Sequence, residues 1–256
     1  THSLVSDLAR LLMVEIMQMR VEIIEHAYTA DYIESLSRNH CHVVLEDWFR
    51  KHHASQELYI GPNKPVLDLG FIGYYGREGW YMNRASLDED STRLSYTSFR
   101  KDNTIKAMQN LAIPHHLVQN CSTVQEQAEE YCDRGRGIFT NNDTCSQRER
   151  GCGVLYGASV DYANVIIQRQ IMGLGLDLEI RWLGDENLPI FVKDHVLSKL
   201  PFVFYWWSPD RFLASFNINE LYRVELPPYN KAVFETTGAC DFPSTRMRKL
   251  VNSKIP

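Results

Sequence analysis

The segment Phe202-Val-Phe-Tyr-Trp-Trp-Ser-Pro-Asp-Arg-Phe212 places three aromatic rings in a row, Tyr205, Trp206 and Trp207, just before a proline. Rings this dense are costly to leave in water, so they form either core or the wall of a pocket. An aromatic wall suits cations whose charge is wrapped in methyl groups, because the ring face is electrostatically negative. In a strand, successive side chains point to opposite faces. Tyr205 and Trp207 are therefore expected to face a ligand together, with Trp206 in the core. Further candidates stand at other element ends. Trp48 closes the run Val43-Val-Leu-Glu-Asp47, and His52 follows it. Trp80 and Tyr81 end another apolar run, and Tyr162 lies at an expected helix start. Asp210, just past the proline, supplies a negative charge.

Other chemistries find less support. His52-His53 and His115-His116 are adjacent pairs, and adjacent histidines do not share one tetrahedral ion easily. No C-x-x-C pair occurs. Gly173-Leu-Gly175 is too short for a phosphate loop and fits a helix C-cap. No Ser-His-Asp or Cys-His arrangement follows from spacing. Neither enzymatic activity nor a cofactor is expected.

The bulk numbers narrow the class. The chain has 256 residues, 44% hydrophobic, with a net charge of -5. That is enough for a large core, as one big domain or two lobes. No Lys/Arg block marks a nucleic-acid partner. No apolar run reaches the roughly 18 residues of a membrane span. Four cysteines, Cys121, Cys132, Cys145 and Cys152, cluster in a polar region. Disulfides stapling a long loop are the expectation, which implies an oxidising compartment. Two N-glycosylation patterns overlap the cluster, at Asn120 and Asn142. An extracellular or secreted eukaryotic domain follows as the expectation. Cys41 and Cys240 could pair or stay as buried thiols.

The elements that position these residues read as α/β. Apolar spacing predicts a helix over 4–19, a strand over 21–25, a helix over 28–36 and a strand over 42–46. That order predicts a parallel β-α-β unit. Residues 71–76 and 79–82 look like strands broken by glycine. A helix is expected near 104–111. Residues 153–157 regain order, followed by a helix near 161–172 and an alternating strand over 176–182. A helix over 187–200, with Pro189 in its first turn, leads to the aromatic segment. A strand near 221–226 and a last helix over 244–252 complete the reading.

Two segments together resemble the glycine betaine/choline-type substrate-binding proteins of ABC transporters. They are Val43-Val-Leu-Glu-Asp-Trp-Phe-Arg-Lys-His-His-Ala and Phe204-Tyr-Trp-Trp-Ser-Pro-Asp-Arg-Phe-Leu-Ala-Ser-Phe-Asn-Ile-Asn-Glu-Leu. The first matches a strand ending in tryptophan, with a histidine soon after. The second matches a strand, a tryptophan and a proline two residues later. Val66-Leu-Asp-Leu-Gly and Gly79-Trp-Tyr resemble the link into the family's second lobe, and 157–200 follows that lobe's order. The family's strand before the first helix has no counterpart here, so the chain is expected to begin inside the fold. Asp210 stands where many members carry a histidine that helps hold a ligand carboxylate. That departure favours a cation without a carboxylate.

The resemblance implies a two-lobed, periplasmic-binding-protein-like (Venus flytrap) fold with a hinge. Residues 1–84 and 208–256 would form lobe 1. Residues 85–207 would form lobe 2, with a disulfide-stapled insertion near 112–152. The implied ligand is a small quaternary or alkylated amine, such as choline or a betaine. It would be held by Trp48, Trp207, Tyr205, Trp80, Tyr162, Asp210 and His52, and the domain would serve a membrane receptor or transporter. The rivals are a receptor or adhesion domain that keeps the fold without a ligand, and a secreted hydrolase.

Overall fold

The computed structural model describes residues 4–24, 31–48, 53–109, 118, 137–145, 151–159 and 165–255. Among these, the strands are β1 (Val43–Asp47), β2 (Val66–Asn83), β3 (Ile138–Thr140), β4 (Gly153–Gly157), β5 (Leu178–Trp182), β6 (Val203–Ser208), β7 (Leu221–Arg223) and β8 (Thr245–Asn252). The helices are α1 (Leu4–Leu11), α2 (Tyr32–Ser37), α3 (His53–Tyr59), α4 (Ala85–Asp88), α5 (Asp102–Ala107), α6 (Asn142–Cys145), α7 (Ile166–Gly173), α8 (Gly184–His195) and α9 (Lys231–Thr236). The strand order is β1-β8-β2-β6-β4-β5-β3, with β7 also on β2. The class is α/β with a mixed sheet.

The chain divides into two compact units. The first holds Thr1–Arg77, Ser208–Ala214 and Ser244–Pro256; the second holds Glu78–Trp207 and Ser215–Pro243. Residues 215–243 thus cluster with the second unit, and the chain passes from the first to the second within β2.

In the first unit β8 lies between β1 and β2, antiparallel to both. This corrects the helix expected over 244–252. Met247 and Leu250 are both buried three residues apart, which imitates a helical period. In a strand that spacing puts them on opposite faces. Leu250 packs with Val66, Ile33, Leu36 and Cys41, and Met247 reaches Gly76 and Trp48. Pairing with two neighbours outweighs the local pattern. α2 covers the Leu250 face, started by Asp31, whose carboxylate accepts from the Ile33 and Glu34 N–H groups. The strand expected at the start of the chain is also corrected. Residues 21–24 are irregular, and the neighbour of β1 is β8, antiparallel. α1 runs on as a single π-helical stretch to Ile16, shorter than the apolar pattern.

The two glycine-broken runs of the middle are one strand. β2 continues through Gly70 (φ 83°) and Gly73 (φ 117°), and its register against β8 slips twice, between Asp68 and Phe71 and between Phe71 and Tyr75. Extra residues at bulges need the positive φ that glycine supplies.

The second unit contains a parallel core. β4 pairs in parallel with β5 on one side and β6 on the other. All five residues of β4 are buried, as strands covered on both faces are. In β5, Leu178, Ile180 and Trp182 point inward, matching the alternation in the sequence. The parallel β-α-β unit is therefore β4-α7-β5, not the N-terminal pair. Gly157 is required here: a Cβ would stand 2.2 Å from Cε3 of Trp182. α8 begins at Gly184, so Pro189 lies inside the helix and not in its first turn. Cys145 and Cys152 form a disulfide. Cys41 and Cys240 are free, buried thiols; burial pushes the Cys41 thiol up. Cys121, Cys132 and Asn120 lie outside the described residues, as does the side chain of Asn142.

Candidate functional site

Two groups of candidate side chains are built, one in each unit. In the first unit, Trp48 follows β1 and is half-buried. Its indole Nε1 donates to the Glu46 carboxylate at 2.9 Å. Tyr74 of β2 also hydrogen-bonds Glu46; burial first, then that carboxylate, pushes the Tyr74 phenol well above its usual range. The Trp48 ring sits on the bare backbone of Gly76: a Cβ there would lie 2.5 Å from Cη2. The other carboxylate of the strand end, Asp47, is buried and accepts from the Tyr32 hydroxyl at 2.5 Å. Asp210 does local work. Its carboxylate accepts from the Phe212 N–H at 2.8 Å, an Asx-type turn after the cis Ser208–Pro209 bond. His52 lies outside the described residues.

In the second unit, β6 delivers the aromatic run. Tyr205 is 0% exposed, Trp206 1% and Trp207 9%. Trp206 lies in the core, as alternation predicts. The predicted separation of faces does not hold, because Trp206 and Trp207 stack with centroids 4.2 Å apart and planes at 12°. Tyr205 and Trp207 are 6.5 Å apart and tilted, and Phe242 lies 5.8 Å from Tyr205. The Tyr205 hydroxyl donates to Glu78 Oε1 at 2.6 Å, inside the protein. Beside it, Arg223 donates to both oxygens of Asp241, at 3.0 and 2.6 Å, and to the Glu78 carbonyl at 2.9 Å. Gly79 leaves room for that guanidinium; a Cβ would stand 2.5 Å from Nε. Trp80 is fully buried and meets Phe99 edge-on at 6.2 Å, which makes it a core ring. Tyr162 lies outside the described residues.

Sequence reasoning missed Glu46, Glu78 and Tyr74. Glu46 was legible as the residue two before Trp48 on the same strand face. Glu78 had no local signal, because Tyr205 reaches it from 127 positions away. Among the described residues, no group of three His, Cys, Asp or Glu side chains could hold a metal ion. No helix among them is long and apolar enough to cross a membrane.

The chemistry of the second group follows from topology. β6, β4 and β5 run parallel, so their carboxyl ends lie along one edge of the unit. β4 pairs Tyr156 with Phe204, so the next residues, Gly157 and Tyr205, are level. The connection from β4 leads to α7 and β5, and the one from β5 returns through α8 to β6 on the far side of β4. In open α/β sheets, ligands bind outside the carboxyl ends at such a reversal of strand order.

Comparison with solved structures finds distant likenesses. The chain is similar to a glycine betaine, L-proline ABC transporter binding protein (ProX) from Borrelia burgdorferi, with a TM-score of 0.48, 9% identity, and coverage of 94% of this chain and 68% of that one. It is similar to an ABC-transporter choline-binding protein in complex with choline, with a TM-score of 0.43, 15% identity, and coverage of 87% and 58%. It is also similar to lactococcal OpuAC complexed with glycine betaine, with a TM-score of 0.41, 8% identity, and coverage of 86% and 61%. The chain thus spans about six-tenths of the length of the last two. No protein-family model matches the sequence, and no curated protein is significantly similar to it.

Proposed function

We propose that this chain is a binding domain for a small quaternary or otherwise alkylated amine, choline-like or betaine-like. The observation that carries the reading is the grouping at the carboxyl end of β6. The Tyr205 hydroxyl holds a carboxylate, Glu78, and the Trp207 ring lies 6.5 Å from the Tyr205 ring. Aromatic faces attract a methylated cation, and a carboxylate in a partly dry setting supplies the opposite charge. In the first unit Trp48 with Glu46 likewise sets an aromatic ring against a carboxylate, here through the indole N–H, and the reading extends to it. The motif resemblance supports the same ligand class.

The Cys145–Cys152 disulfide supports an oxidising compartment. With the patterns at Asn120 and Asn142 it supports an extracellular domain, serving a receptor or a transporter. Calorimetric titration with glycine betaine, choline and carnitine tests the ligand class. Heat of binding from at least one, lost in Trp207→Ala, is expected. Silence from all three in folded protein rejects the amine ligand.

A second reading has an observation of its own. The rings of β6 are at most 9% exposed, and two of them stack on each other. A domain that keeps this fold and has given up its ligand would pack its rings this way. The same titration separates the two.

A further inference from the structure

Arg223 carries a positive charge beside the carboxylate on which the amine reading depends. It stands on β7, opposite Tyr81 of β2, and Glu78, Tyr205, Arg223 and Asp241 all belong to the second unit. Its Nη2 donates to the main-chain oxygen of Glu78 at 2.9 Å. The guanidinium therefore lies within a side chain's length of the buried Glu78 carboxylate. A positive charge that close cancels much of a carboxylate's pull on a ligand cation, and more so in a buried setting than in water.

Asp241 holds that charge in place. Its Oδ1 accepts from Nη2 at 2.6 Å and its Oδ2 from Nη1 at 3.0 Å, a bidentate pair. Asp241 is fixed independently of Arg223. Its Oδ1 also accepts from the Phe242 N–H at 2.8 Å, and its own N–H donates to the Pro227 carbonyl at 2.7 Å. The inner side of the guanidinium is walled off. Arg223 Nε is buried without a hydrogen-bond partner and faces Gly79, where a Cβ would stand 2.5 Å away. The cluster thus sets two carboxylates against one guanidinium, which leaves it negative. With Asp241 neutralised, the guanidinium would be left to Glu78, and that pair is neutral.

We propose that Asp241 is a specificity-determining residue of the amine site: by engaging Arg223 it keeps the guanidinium from neutralising Glu78, and so fits the site to a cation. This rests on the amine reading above and deepens it.

The test is titration of the whole chain, of Asp241→Asn and of the double variant Arg223→Met with Asp241→Asn. The ligands are choline and its uncharged carbon isostere, in which a tert-butyl group replaces the trimethylammonium. The two share shape and methyl surface, so the ratio of their affinities reads the charge of the site. Thermal melts establish that each variant is folded. The unaltered chain is expected to prefer choline about tenfold or more. Asp241→Asn is expected to cut that preference about fivefold or more, and the double variant, which removes both charges, to restore it to within about twofold. A merely structural role predicts the reverse order, because the double variant loses every contact the pair makes. Equal binding of the two ligands by the unaltered chain overturns the assignment while the amine reading stands. So does a preference that Asp241→Asn leaves unchanged, or a double variant no more selective than Asp241→Asn. If Asp241→Asn does not fold, the double variant decides: the unaltered chain's preference upholds the assignment, and its loss overturns it. If the unaltered chain binds neither ligand, the assignment falls, and glycine betaine shows whether the amine reading falls with it.

Discussion

Gly76→Ala is expected to dislodge Trp48 and destabilise the protein by about 1–2 kcal/mol. A Cβ at position 76 would stand 2.3 Å from Met247 Cε, 2.5 Å from Trp48 Cη2 and 2.7 Å from Trp48 Cζ3. Ordinary carbon contacts need roughly 3.5–4.0 Å, so the indole edge has to retreat by about 1 Å. Met247 can swing its terminal methyl aside. The indole cannot yield so easily, because its Nε1 is tied to Glu46 at 2.9 Å. Overpacking of this kind costs about 1–3 kcal/mol, while exchanging glycine for alanine within a strand returns roughly 0.5–1 kcal/mol. Urea unfolding followed by tryptophan fluorescence reads the net effect. With a slope of about 1–3 kcal/mol per molar, the midpoint should fall by roughly 0.5–1 M. Met247→Ala, alone and combined with Gly76→Ala, separates the two contacts. If the double variant loses no more stability than Met247→Ala alone, the clash lay with Met247 and the seat of Trp48 is refuted.

Two further predictions concern the second unit. Tyr205→Phe leaves a buried Glu78 oxygen without its donor and should cost about 1.5–3 kcal/mol; a change in unfolding free energy of only a few tenths would rule out that role for the hydroxyl. At alkaline pH, Tyr156 keeps its phenol proton well above the ordinary range, chiefly through burial. Above about pH 10 the unfolded chain loses that proton and the folded chain keeps it, so stability falls as pH rises, by about 1.4 kcal/mol per unit for this group. Tyr32 and Tyr74 shift in the same direction. Tyr156→Phe should flatten the alkaline slope of denaturation measured from about pH 10 to about pH 11.5, and an unchanged slope would remove Tyr156 from the account.

The sequence carried its information where local pattern and tertiary environment agree. The alternation of Leu178, Ile180 and Trp182 predicted β5 because one face of that strand is buried along its length. The alternation of strands and helices over 153–208 was legible as α/β, but the parallel unit was expected at the N-terminal pair and lies here instead. The failures have one cause, which is pairing set by distant residues. Met247 and Leu250 imitate a helix because each is covered on its own face by a different part of the first unit. Val21 to Ile24 have strand-forming side chains and no partner strand among the described residues. Of the site, the aromatic residues were visible as residue types. Of the carboxylates beside them, Glu46 was within reach of the local strand pattern, but Glu78 was not, because it approaches Tyr205 only through the fold.

The stacking of Trp206 on Trp207 changes what the aromatic run can contribute. A ring stacked at 4.2 Å has one face already occupied. Strand alternation offered two full faces, from Tyr205 and Trp207. The structure leaves Trp207 at most one, and Tyr205 is 0% exposed. One cation–π contact is worth roughly 0.5–2 kcal/mol, whereas a micromolar ligand needs about 8 kcal/mol. Rings of β6 alone therefore cannot hold a methylated amine at that affinity. The remainder has to come from charge. In the amine reading proposed above, Glu78, which accepts from the Tyr205 hydroxyl at 2.6 Å, is the group that would supply it, so the less the rings contribute, the more binding would depend on that carboxylate.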